Sequence, residues 1–154
     1  MPFRFQGLSV APFRPLFALS DEALKERGMR RMLCDARPGF PCRVSLEDAE
    51  PGERVLLTNF EHQPAHSPYR AKGPIFVREA AGPAYDGTDV PSVLRARLLS
   101  LRAYDADAMI VAADVVPGSD VEAALERLFG RPDSACVHIH YAGRGCYSCR
   151  VERA

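Results

Sequence analysis

The chain contains no tryptophan and only two lysines, Lys25 and Lys72, among its 154 residues. It also lacks an excess of charge of either sign, because 20 basic side chains balance 20 acidic ones. A non-specific nucleic-acid binder needs surplus Lys and Arg to displace counterions, so no nucleic acid is expected as a partner. No apolar run approaches the length of about 20 residues that a membrane helix needs, so no membrane partner is expected either. The opening Met1-Pro2-Phe3-Arg4-Phe5-Gln6 lacks the apolar core and small-residue cleavage site of a secretory signal. Cys34, Cys42, Cys136, Cys146 and Cys149 are odd in number, and without an export signal reduced thiols are the expectation. The chain therefore reads as soluble and cytoplasmic. Internal repeats, low-complexity linkers, a P-loop and a Gly-x-Gly-x-x-Gly turn are all missing, so no phosphate-cradling loop is in view.

What remains is an ordinary globular composition, 47% hydrophobic and 26% charged. The length fits one domain over residues 1–154 and supports a core without disulfides or a structural metal. Arginine supplies nearly all the positive charge, a choice suited to bidentate contacts with carboxylate or phosphate.

Turn residues divide the chain into short elements. Phe3–Val10 reads as extended. Ser20 reads as a helix N-cap, with Leu19 and Leu24 at the staple positions and Gly28 at the stop. Met29–Asp35, Arg54–Phe60 and Ile75–Glu79 read as strands, and Pro91 opens a short helix. Between them, residues 61–73 read as a long polar loop. Farther on, Arg97–Tyr104 and Met109–Val116 form a hairpin across Asp105-Ala106-Asp107. Ser119 and Glu122 form a capping box ahead of Val121, Ala124, Leu125, Leu128 and Phe129 at helical spacing. Ala135–Tyr141 and Tyr147–Glu152 form a last hairpin. The fold class is α+β, with an antiparallel or mixed sheet, two or three helices, and a C-terminal strand-strand-helix-strand-strand unit.

The last hairpin has a predictable register, because a one-residue slip inverts every side chain. Matching apolar faces puts Tyr147, Cys149 and Val151 with Val137, Ile139 and Tyr141. The opposite face then carries His138, His140, Ser148 and Arg150, with His140 across from Ser148 and His138 across from Arg150. The ordinary reading of such a face is the solvated side of an antiparallel sheet. The functional reading is the floor of a polar pocket covered by the 61–73 loop.

Two imidazoles on one strand face have a spacing that can chelate. His62 and His66 would suit a helix, but Pro64 breaks it. Cys146 and Cys149 face opposite ways in a regular strand, so a thiolate site would require a knuckle completed by Cys34 and Cys42. No metal ligand is therefore assigned. The alternating-histidine pattern of nucleotide hydrolases is incomplete, because its third position is Ala142. Cys42, beside Arg43 and ahead of a possible helix start at Ser45, is the candidate reactive thiol. Arg43, Arg70 and Arg78 would favour an anionic ligand if they converge.

Three stretches resemble a known family. They are Pro38-Gly39-Phe40-Pro41-Cys42-Arg43-Val44-Ser45-Leu46-Glu47-Asp48-Ala49, then Ser67-Pro68-Tyr69-Arg70 with Gly73-Pro74-Ile75-Phe76-Val77-Arg78, and Gly145-Cys146-Tyr147-Ser148-Cys149-Arg150. Together they resemble the bacterial domain-of-unknown-function 1203 family over nearly the whole chain. The resemblance implies a small stand-alone bacterial protein and brings no reaction, cofactor or catalytic residue with it.

The leading expectation is a small-ligand-binding protein or enzyme for an anionic molecule. Its pocket would join His62, His66, Ser67, Tyr69 and Arg70 to His138, His140, Arg144 and Arg150, with histidine as acid or base near neutrality. The alternatives are a non-catalytic interaction module or homodimer, and a metal-binding protein using His or Cys ligands. Cofactor and reaction stay open.

Overall fold

A computed structural model describes residues 2–154. Nine strands form two antiparallel sheets, joined by three helices and short turns. In chain order the strands are β1 (Phe3–Gln6), β2 (Arg30–Leu33), β3 (Arg54–Gln63), β4 (Ala71–Arg78), β5 (Asp86–Gly87), β6 (Leu98–Tyr104), β7 (Ile110–Pro117), β8 (Cys136–Tyr141) and β9 (Tyr147–Arg153). The helices are α1 (Asp21–Glu26), α2 (Ser92–Arg95) and α3 (Val121–Phe129). The larger sheet runs β5-β1-β9-β8-β6-β7 and the smaller β2-β3-β4. The strand-strand-helix-strand-strand unit is present, with β6 pairing β8 so that its two hairpins share one sheet. No helix is long and apolar enough to cross a membrane among the described residues.

Alternation decides which face of the larger sheet is core. Phe3, Phe5, Leu99, Leu101, Val137, Ile139, Cys149 and Val151 point to one side, where they meet Val121, Ala124, Leu125, Leu128 and Phe129 of α3. The Phe3 and Phe129 rings stack with centroids 5.4 Å apart. Truncating Leu125, which is fully buried, would cost about 2–5 kcal/mol in lost transfer energy and cavity formation. The smaller sheet packs its own cluster, Leu56, Ile75 and Val77 with Leu24 of α1. Ser20 caps α1 as expected, its Oγ accepting from the Ala23 N–H at 3.1 Å.

Three local expectations need correction. The polar loop over 61–73 is much shorter, because β3 continues to Gln63 and β4 starts at Ala71. The strand tolerates this polar end because its last residues are covered by the larger sheet. The capping box does not form. The 3-10 turn Gly118–Asp120 leads directly into α3, Ser119 Oγ bonds Asp120, and Glu122 turns away to pair with Arg95 at 2.7 Å. In the last hairpin, His138 does face Arg150, but His140 faces Tyr147 because Ser148 is an extra residue on β9. Such a bulge rotates the strand and re-aims side chains. It sends Ser148 Oγ to the Tyr141 hydroxyl at 2.8 Å and turns the Tyr147 ring to the histidine side.

Candidate metal centre

The second face of the larger sheet is not solvated. Every residue of β8 is buried, because the smaller sheet lies over it. Phe60 of β3 packs on Tyr147 with ring centroids 6.2 Å apart. Beyond Phe60 the β3–β4 register slips, with one extra residue on β3 before Gln63 pairs Ala71. That irregularity lies where β3 delivers His62 onto His138 and His140.

The three imidazoles meet closely. His62 lies edge-on to His140 with centroids 4.9 Å apart and 6.4 Å from His138. Tyr147 stacks flat on His62 at 5.3 Å and stands edge-on to His138 and His140. Tyr104 closes the other side, 4.8 Å from His138. One nitrogen from each histidine can be chosen so that all three lie within 4.8 Å of one another.

The hydrogen bonding decides what those nitrogens can do. His140 Nδ1 lies 2.9 Å from the Gly145 carbonyl oxygen. A carbonyl only accepts, so Nδ1 carries the proton and Nε2 keeps a lone pair. That Nε2 is buried without a partner, as are Nδ1 of His62 and Nδ1 of His138. Leaving a buried polar atom unpaired costs about 1–3 kcal/mol, and native interiors rarely tolerate it. Three adjacent rings, each with one such atom, need an explanation, and a shared ligand supplies one.

The protonation states agree with that. Burial, reinforced by Arg150, the neighbouring histidines and Arg102, pushes His138 down to about 3. Burial also holds His140 down at about 4, although the Gly145 carbonyl opposes the shift. His62 is lowered by burial and then by Arg102. Two of these cations sit in register with His138, Arg102 across β6 and Arg150 across β9. At neutral pH His138 and His140 are uncharged, the state a metal ligand requires. A metal ion can accept a lone pair from each of the three imidazoles at once.

Other predicted site residues lie elsewhere. His66 is exposed at the β3–β4 turn. Ser67 Oγ donates to the Ala108 carbonyl at 2.9 Å, docking that turn on the β6–β7 turn. Tyr69 is exposed, and Arg70 pairs with Glu61 at 3.0 Å. The expected single pocket joining this turn to the last hairpin is thus reduced to His62, because the extended β3 carries the remainder outward. Arg150 pairs with Glu152 at 2.7 Å. With Tyr147, it borders a cleft of about 340 Å³ that also touches Gln6 and Asp86. Arg144 is exposed and lines a different cavity. Arg43, Arg70 and Arg78 do not converge: Arg78 is held by Glu53 at 2.8 Å and Glu47 at 3.3 Å.

The thiols are also accounted for. Cys42 is fully buried, and its sulfur accepts from the Val44 and Arg78 N–H groups, both at 3.4 Å. It sits in the core of the smaller sheet, out of reach of a reagent. Cys149 is buried in the main core, where burial raises its thiol to about 12, while Cys146 lies nearer the surface. No four-thiolate cluster forms among the described residues.

Sequence reasoning missed Tyr104, Tyr147 and Arg102. Pairing β6 with β8 would have put Arg102 beside His138, but strand order is not written in the local pattern. Tyr147 was assigned to the apolar face because the bulge at Ser148 has no glycine or proline to announce it.

No curated protein and no solved structure matches the chain. The family model described as protein of unknown function (DUF1203) matches residues 39–153, a span holding all three histidines, and the chain belongs to that family.

Proposed function

We propose that the protein binds one divalent transition-metal ion, zinc above all, through His62 Nδ1, His138 Nδ1 and His140 Nε2. Two observations carry this: the three histidines can each offer a nitrogen within 4.8 Å of the other two, and each ring holds one buried nitrogen without a partner. Imidazole sets of this kind suit zinc, copper, iron and nickel rather than magnesium or calcium. The Gly145 carbonyl supports the set by fixing the tautomer and ring orientation of His140, as second partners of metal-bound histidines do.

Three neutral ligands leave the charge of the ion uncompensated. Arg102 adds positive charge across β6 from His138, while the charge of Arg150, across β9, is met by Glu152. An anion is therefore favoured in the remaining coordination position, whether hydroxide or the oxyanion of a substrate. A bound ion of this kind lowers the pKa of its water and polarises a carbonyl or phosphoryl oxygen. The reading is a metal-binding protein whose ion takes a small anion as its further ligand. All five cysteines are free thiols, which suits the reducing cytoplasm.

Titration with Co(II), followed by visible absorption, tests the site. One equivalent should produce bands of a low-coordinate, nitrogen-ligated ion, and His138→Ala should abolish them. Absence of such bands in folded protein would defeat the proposal.

A further inference from the structure

A cavity of about 830 Å³ lies between the smaller sheet and the far end of the β8–β9 hairpin. That volume is within the range of small-molecule sites. Its walls are mainly apolar: Met32, Phe40, Leu57, Phe76 and Leu98 face it. Its charged lining residues are Arg43, Arg97 and Arg144, and no acidic side chain lines it.

Arg43 is the unusual member. It is only 2% exposed, yet it forms no ion pair with a carboxylate among the described residues. Its Nε donates to the Tyr147 carbonyl at 2.7 Å and its Nη1 to the Pro41 carbonyl at 2.6 Å. Carbonyls satisfy donors but leave the charge uncompensated, and a buried charge is costly unless paired. Arg97 differs, because Asp48 takes its guanidinium at 2.6 and 3.0 Å. The Tyr141 ring has both guanidiniums 5.1 Å from its centroid, which gathers the two arginines about one ring. Arg144 adds an exposed charge on the hairpin turn, with no ion pair among the described residues.

We infer that this cavity binds a small amphipathic carboxylate, its apolar body against Phe40, Phe76 and Leu57 and its carboxylate toward Arg43 and Arg144. Charge complementarity selects the head group, since a guanidinium offers a carboxylate paired donors and full compensation. The apolar wall selects the body. The inference stands apart from the histidine centre, which contributes no residue to this cavity.

Calorimetric titration with octanoate and with 1-octanol tests it, since the two ligands share a chain and differ in charge. Octanoate should bind once per chain, at least about tenfold tighter than the alcohol. Arg144→Glu is at the surface and should fold; it should weaken octanoate by about tenfold while sparing octanol. Leu57→Trp should fill the cavity and remove both. Octanoate should bind His138→Ala as it binds wild type, so failure here is separate from failure of the metal site. Equal affinity for acid and alcohol, no binding near about 1 mM, or binding indifferent to both substitutions would overturn the inference.

Discussion

His140 Nδ1 donates to the carbonyl of Gly145, five residues along the chain, at 2.9 Å. The acceptor belongs to a residue with φ of 81°, a left-handed conformation that a side chain strains. The turn of the last hairpin thus sets the tautomer of a buried imidazole. Gly145→Ala should destabilise the fold by about 1 kcal/mol and, by loosening His140, weaken zinc binding by about tenfold or more. Urea unfolding and a zinc titration measure the two effects separately.

His138 distinguishes a ligand from a packing residue. Its Nδ1 is buried with no partner, so the metal-free fold gains nothing from that atom. In metal-free protein His138→Leu should be as stable as wild type to within about 1 kcal/mol, because an unsatisfied polar atom is replaced by an apolar group of similar volume. Zinc should raise the melting temperature of the wild type and leave the variant unmoved. A large loss of stability in the metal-free variant would assign His138 to packing.

The lowered histidines make an acid-sensitive contribution to stability. His138 and His140 fall from 6.5 to about 3 and about 4, so the unfolded chain takes up protons first as pH drops. Their contribution is complete above about pH 6.5 and is lost progressively as pH falls toward 4 and then 3. The loss should reach a few kcal/mol in metal-free protein. Unfolding of wild type and His138→Leu compared across that window isolates it from the carboxylates; parallel curves would contradict the account.

Ser148 anchors the bulge through the Tyr141 hydroxyl at 2.8 Å. Both residues are buried, so Ser148→Ala leaves the phenol short of a partner and should cost about 1–3 kcal/mol. Because the same bulge aims Tyr147 at His62, the variant should also change the tyrosine near-ultraviolet circular dichroism. An unchanged spectrum and stability would remove Ser148 from this role.

Legibility followed locality. The helix start at Ser20, the periodicity of α3, both C-terminal hairpins and the pairing of His138 with Arg150 could be read from adjacent residues. His62 was a candidate, although its strand was mistaken for loop because polar residues end β3 where the other sheet covers them. What could not be read was tertiary: the packing of one sheet over the other, and β6 beside β8. The irregularities near Phe60 and Ser148 re-aim the rings that complete the site. The spacing of His62 from His138 and His140 carries no chelation signal, because the ligands come from different sheets. The helical pairing of His62 with His66 fails for the reason Pro64 suggests, and His66 ends at the surface.

The most direct measurement is the metal content of untagged protein purified without chelator, before and after incubation with zinc and removal of excess ion. The account predicts one tightly held ion per chain in wild type and none in His62→Ala, His138→Ala or His140→Ala, each still folded by circular dichroism. A folded wild type that holds no ion after zinc exposure, or variants that keep it, would contradict the three-histidine centre.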